Sequence, residues 1–395
     1  MPGACRTLHK TLALAGAAAL VLAGCGGGGD SGSGGDYNWG INAELSGAAS
    51  SYGKTLQQGI KGYVDEVNAA GGINGHKIKL TSLDSGGEQS RAAANATQLA
   101  TASKVNAMFG NVLSSNCSSA QPVAERYKVP MGCISVAEPN PYVFSIGPDN
   151  TRAAGAMFDG AKKVTGKDRP KAALVYLNTL TNEALAKSMR EQAGGAGVEL
   201  ATAQEVDLMA SDVSAQVTKV VETEPDVVLV TTTGPSMLSI LKGVRAAGVE
   251  APFVWLDGTG NFASLTSSTD EGVYAMNVYS LVDPAGTESG VKEFIGAVKP
   301  EIKDAATATG LNDGELVIGY LAARAFGEAL KSCGHPCSGE QLKTHLDKTG
   351  ISVPGVVDDY GFTPEDRYPF KNWYLYRAVG TKTTLTETLT ASPAA

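Results

Sequence analysis

The chain is short of basic residues, with 32 Lys and Arg against 40 Asp and Glu and a formal net charge of -8. A phosphate backbone is held by a surplus of Lys and Arg, so nucleic acid is excluded as a partner. Long apolar runs are also lacking. The uncharged stretch from Thr11 to Leu22 falls well below the roughly 20 residues that cross a bilayer, so it predicts no permanent membrane span. Catalytic signatures are missing too: there is no Gly-x-Ser-x-Gly elbow, no His-Glu-x-x-His helix and no phosphate-loop lysine. Only 4 histidines occur, and the three beyond the leader, His76, His335 and His345, are scattered. Acid–base chemistry would fall to carboxylates that no spacing pairs, so enzymatic activity is not expected. His335 between Cys333 and Cys337 suggests a metal site, but a zinc centre needs further ligands that the sequence does not supply. Neither metal nor cofactor is expected. Gly258-Thr259-Gly260-Asn261-Phe262-Ala263 matches the dinucleotide fingerprint only in part. A polar Ser/Thr run follows where a helix, a strand and an acid about 20 residues on belong, so it reads as a loop on a cleft rim. Gly160 to Lys167 has its glycines one position out for a phosphate loop and reads as a helix end.

What is present begins with Arg6 and Lys10 ahead of the apolar run, which Leu22-Ala23-Gly24-Cys25 closes with small residues before a cysteine. This order resembles the bacterial lipoprotein signal, in which the cysteine thiol takes a diacylglyceryl group and becomes the new N-terminus. The resemblance implies a signal peptide over residues 1–24, loss of Cys5 with it, and extracytoplasmic anchoring to the membrane through lipid on Cys25. Two or more acyl chains hold where one does not. Residues 25–36 are almost entirely Gly and Ser with Asp30, have nothing to bury, and form a flexible tether. The folded body is expected from Tyr37 to about Gly380, with residues 381–395 as a disordered tail. Its four cysteines should be paired outside the cytoplasm. Three connectivities are possible; the short Cys333–Cys337 loop favours a local bridge, which leaves Cys117 with Cys133.

A body of this length exceeds the usual limit for one hydrophobic core, so two lobes are expected. Strand and helix periods alternate along it, the mark of βα units around parallel sheets. Strands are predicted at Tyr37 to Leu45, from Ile78, at Val105 to Phe109 and at Pro130 to Ile134. Helices are predicted at Lys54 to Ala69, Glu88 to Ala102 and Ser118 to Tyr127. After Ile146-Gly147-Pro148-Asp149 the pattern restarts. Strands at Ala172 to Leu177, Val198 to Val206, Val227 to Val230 and Phe253 to Leu256 are separated by helices at Asn182 to Ala193, Val213 to Thr223 and Ser236 to Ala247. A strand at Val273 to Val278 leads back, and helices near Val291 and at Leu316 to Leu330 pack on the first lobe. The fold class is α/β: two Rossmann-like lobes with parallel sheets, joined by a three-segment hinge near 147–151, 279–283 and 353–357. The first lobe takes 37–149 and 280–355, the second 150–279 and 356–380, and the cleft between them is the default ligand site.

One ordered set of residues carries a further resemblance. It runs Leu45-Ser46-Gly47, Tyr52-Gly53, Asn68-Ala69-Ala70-Gly71-Gly72-Ile73-Asn74-Gly75, Lys77 and Asp84. It continues through Gly110 and Ser114, Val129-Pro130, Pro139, Pro225-Asp226 and Arg245-Ala246-Ala247-Gly248. The set resembles the leucine/isoleucine/valine-type substrate-binding proteins of ABC importers over nearly the whole body, thinning after about residue 285. The resemblance implies a monomer that captures a small ligand, an amino acid, amide or related solute, and passes it to ABC permease subunits. A sensing ectodomain of the same fold, reporting to a signalling partner, is the alternative. The family holds a ligand carboxylate by a serine hydroxyl and backbone N–H groups of the first lobe, which fall here on Ser114, with Ser115 or Asn116 beside it, and on Ser135 and Ala137. It holds the ammonium by an acid that falls on Asp257. Tyr52 presents a ring to the cleft, and Thr181 and Thr233 stand where aromatics are frequent. Glu315 lies near a first-lobe pocket aromatic. Ala137 lacks a common hydroxyl, and Asp257 is one methylene shorter than the usual Glu, so the ligand is expected to be more polar or larger than leucine.

Overall fold

The computed structural model describes residues 35–134, 136, 140–207, 210–256, 272–301, 311–379 and 382–390. The chain first builds a five-stranded, all-parallel sheet in the order β2-β1-β3-β4-β5. Its strands are β1 (Tyr37–Ala43), β2 (Ile78–Asp84), β3 (Ala107–Gly110), β4 (Met131–Cys133) and β5 (Val143–Ser145). The connecting helices are α1 (Ser50–Ala69), α2 (Gln89–Thr101) and α3 (Ser114–Tyr127). Strand β1 reads Tyr-Asn-Trp-Gly-Ile-Asn-Ala, an alternation, yet both faces are buried: Gly40 makes room for Leu99 of α2, and Asn42 donates to Ala92 O at 2.8 Å. After α1 the chain turns through Gly71 and Gly72 at φ 103 and 86, backbone angles that only glycine adopts without strain.

After α4 (Asn150–Thr165) comes a second, seven-stranded sheet in the order β14-β13-β10-β9-β8-β6-β7. It contains β6 (Lys171–Leu177), β7 (Glu199–Val206), β8 (Val227–Thr231), β9 (Phe253–Leu256) and β10 (Val273–Asn277), all parallel, with α5 (Leu180–Gln192), α6 (Ser214–Val221) and α7 (Gly234–Ala246) between them. The chain then returns through α8 (Ser289–Val298), α9 (Gly314–Cys333) and α10 (Gly339–Leu346) to a hairpin, β11 (Gly350–Val353) and β12 (Val357–Gly361). It ends on the antiparallel β13 (Asn372–Val379) and β14 (Lys382–Thr390) of the second sheet.

Helices α1 and α9 pack at van der Waals range through Gly59 and Gly319, where an added Cβ would strike the carbonyl oxygens of Leu316 and Leu56. The first core runs through Trp39, Phe109 and Phe326, all fully buried, with ring centroids 5.0 and 4.6 Å apart. Trp255 and Phe253 centre the second.

Three differences from expectation have local causes. Helix α3 starts at Ser114, four residues before the Ser118 predicted, because a distant side chain, Glu44, satisfies the N–H groups of Val112 and Leu113 just ahead of it. The tail assigned to disorder contains β14. Its Thr/Leu alternation pairs with β13, Trp373 opposite Leu389 and Tyr374 opposite Thr388, so ladder pairing with the neighbouring strand outweighs a polar composition on a largely exposed edge. The hairpin β11–β12 and the short β5 carry too few residues to show a period.

The chain passes between the sheets at residues 146–149, 278–288 and 362–371, with 353–357 in the β11–β12 turn. These stretches are tied together. Ser280 donates its N–H to Val356 O at 2.8 Å and Ser145 donates to Arg367 O at 3.0 Å. Arg152 pairs with Asp149 at 3.1 Å and with Asp366 at 2.9 Å.

Candidate ligand-binding site

In open parallel sheets, ligand groups gather at the carboxyl ends of the strands. At that edge of the first sheet β1 runs into Glu44, β2 into Ser85 and β3 into Asn111, all fully buried. The Glu44 carboxylate accepts N–H bonds from Val112 at 3.0 Å and Leu113 at 3.4 Å, and one from the Asn116 amide at 2.8 Å. Asn116 also donates to Ser85 Oγ at 3.3 Å. An acid carried on another strand thus occupies the donors that precede α3, complementing the positive end of the helix.

Ser114 and Ser115 open α3 and are half-buried. Their hydroxyls and N–H groups have no hydrogen-bond partner among the described residues. The disulfide Cys117–Cys133, with Cα atoms 6.1 Å apart, ties the first turn of α3 to the end of β4. The second bridge joins Cys333 to Cys337, Cα atoms 5.9 Å apart. Both match the favoured connectivity.

Tyr52 lies in the first turn of α1 beside the start of α9. Burial first, then the charges of Glu315 and Asp313, push its hydroxyl pKa up. Asp313 caps α9, accepting from Glu315 N at 3.2 Å. Burial raises its carboxyl, against a hydrogen bond with the Glu315 side chain that lowers it. The rim before α1 is held by Asp84, whose carboxylate accepts from Leu45 N at 2.9 Å, Ser46 N at 3.1 Å, Ser46 Oγ at 2.6 Å and Gly86 N at 2.8 Å.

At the same edge of the second sheet, β6 leads through Thr179, which caps α5, to Thr181; the two hydroxyls lie 3.4 Å apart. Neighbouring β8 leads to Thr233, which precedes α7 and bonds Ser236 Oγ at 3.3 Å. Trp255 on β9 donates its indole N–H to Thr232 O at 2.9 Å, holding that turn against the next strand. Thr181, Thr233 and the end of β9 thus share one edge. Asp257, directly after β9, lies outside the described residues, as do Ser135, Ala137 and Cys25.

Sequence reasoning passed over Glu44 and Asp313. Glu44 carried one usable signal, an acid immediately after a strand and before a turn. Leu180, 64% exposed at the mouth of the β6 turn, was also missed. Two surface grooves, of about 340 Å³ beside Arg324 and Lys348 and about 430 Å³ beside Gln57 and Lys61, include none of the residues expected to bind ligand. Among the described residues no three His, Cys, Asp or Glu side chains converge as metal ligands, and no helix is long and apolar enough to cross a membrane.

The periplasmic binding protein family model matches residues 38–383. The chain belongs to that family. A relative, the Leu/Ile/Val-binding protein homolog 8 of Brucella abortus, is 25% identical over 345 residues, 82% of this chain and 83% of its own. Two solved structures share the two-lobed fold. The branched-chain amino acid substrate-binding protein LivJ of Streptococcus pneumoniae, in complex with isoleucine, superposes with a TM-score of 0.72 at 22% identity, covering 91% of this chain and all of its own. A solute-binding protein of an ABC transporter from R. palustris, in complex with 4-hydroxybenzoate, gives 0.74 at 17% identity, covering 91% of this chain and 98% of its own. This chain is therefore a periplasmic binding protein, and that family is extracytoplasmic.

Proposed function

We propose that the protein is a lipid-anchored capture component of an ABC importer, held at the membrane through Cys25 and a Gly/Ser tether. It closes on one small amino-acid-like solute and delivers it to permease subunits as a monomer. The observation that carries this reading is the start of α3. Two serine hydroxyls and two N–H groups without a partner among the described residues stand at the carboxyl edge of the first sheet, in a chain whose family binds solutes. Ser114, Ser115, Ser135 and Ala137 take one end of the ligand, Asp257 its ammonium, and Tyr52, Thr181 and Thr233 the sides. The lobes are built on the two sheets, residues 37–145 with 289–361, and 150–277 with 372–390, and the crossings at 146–149, 278–288 and 362–371 flex. A ligand that touches both lobes binds the closed state better, and that difference drives closure.

A thermal-unfolding screen of amino acids, amides, urea and small aromatic acids tests the reading. A true ligand at a hundredfold excess over its Kd stabilises the fold by about 2.7 kcal/mol. An unmoved midpoint across the whole panel overturns this ligand class. Cys25→Ala should release the protein from membranes, and retention of the variant in the membrane fraction would refute the anchor.

A further inference from the structure

The first-lobe wall of the proposed site is rich in acceptors and already holds its own anion. Glu44 is fully buried and takes the N–H groups of Val112 and Leu113, donors that a ligand carboxylate would otherwise use. The side-chain oxygens of Asn111 and Asn116, on residues fully buried at the same turn, have no donor among the described residues. The acidity continues along the wall. Gly53 rests against the Glu44 carbonyl, so closely that a Cβ would clash. The adjacent Tyr52 feels the charges of Glu315 and Asp313, and Glu315 is itself only 6% exposed.

A ligand carboxylate brought to Ser114 would join Glu44 at one helix start. Like charges in a closed, water-poor cleft repel far more strongly than in water. A group bearing N–H donors meets the opposite situation. It carries no negative charge for Glu44 to repel, and the half-buried Ser114 and Ser115 can accept from it or donate to its carbonyl.

We infer that the first-lobe end of the ligand is a nitrogen-bearing group without negative charge, a carboxamide, urea-like group, amidinium or ammonium, rather than a carboxylate, with Glu44 as the residue that sets this preference. The inference rests on the solute-binding reading above and narrows its ligand class.

Isothermal titration of the full-length protein in detergent micelles with matched pairs tests it: L-leucine against L-leucinamide, L-isoleucine against its amide, and benzoate against benzamide. The nitrogen-bearing member of a binding pair should have a Kd at least about tenfold lower, near 1.4 kcal/mol. Glu44→Gln keeps the side chain's shape and an acceptor while removing its charge, so it should narrow that ratio by raising affinity for the carboxylate member. Tighter or equal binding of the carboxylate in the unaltered protein, or a ratio that Glu44→Gln leaves unchanged, overturns the inference and leaves solute binding intact. Silence from every member of every pair overturns the solute class itself, and this inference with it. Should Glu44→Gln fail to fold, the ratio in the unaltered protein decides.

Discussion

At the scale of single residues, carboxylates at strand ends organise the cleft edge. The Asp84 carboxylate accepts five hydrogen bonds, and chiefly through the Ser46 hydroxyl, then the N–H groups of Gly86, Leu45 and Ser46, its pKa falls to about 2 despite some desolvation. A carboxyl depressed in the folded state stabilises above its unfolded pKa near 3.9, and that contribution disappears as pH drops towards about 2. The side chain is 32% exposed, so solvent screening trims the gain to about 1 kcal/mol. Asp84→Asn should lower stability by that amount at pH 7 and flatten the decline between about pH 4 and pH 2, read from urea unfolding at both ends of the window. Equal pH slopes in variant and parent would mean that the loop is held by other contacts. Asp84 was legible in sequence as part of a motif, but its acceptor role was not. Two of its partners, Ser46 and Leu45, lie 38 and 39 residues away.

At the scale of elements, the crossing of α1 and α9 shows what helical periodicity hides. Both helices are visible as amphipathic stretches, and Gly59 and Gly319 look like weak points in them, since an interior glycine costs roughly 1 kcal/mol against alanine. In the fold each glycine admits the other helix's backbone. Gly59→Ala should therefore destabilise by about 2 kcal/mol or more, the overpacking penalty exceeding the gain in propensity. A lower urea midpoint with an unchanged slope is the expected readout, whereas a raised midpoint would show that the helices separate freely. The early start of α3 has the same origin. Local pattern places helix starts by a nearby capping side chain, but α3 has none, and Glu44 instead holds the turn just ahead of it, 68 and 69 residues from the groups it binds.

At the scale of the whole molecule, the chain crosses between its sheets and fastens those crossings by charge. Arg152 lies between Asp149 at one crossing and Asp366 ahead of β13, and Lys371 adds a bond to Asp366 at 2.6 Å. These side chains are about one-tenth to one-third exposed, so removing the shared cation takes an ion pair from two partly buried carboxylates, with Asp366 keeping Lys371. Arg152→Met should cost about 2 kcal/mol, less than the loss of a fully buried partner. High salt should erode the parent's advantage over the variant only in part, because burial limits screening. Complete loss of the difference in salt would place the pair in solvent.

Sequence by itself determined the alternation of strands and helices, the restart of the pattern after residue 149 and the short loop that favours the Cys333–Cys337 bridge. Each of these is written within a few residues or in periods of 2 and 3.6, since local backbone sterics and the need to bury one face act over that range. Only the tertiary structure decided that β14 completes the second sheet, that Glu44 fills the turn ahead of α3, and that Tyr52 stands beside Glu315 and Asp313. Those outcomes depend on which distant groups share a strand edge or a helix start, and hydrogen bonds and charges are settled by distance in space.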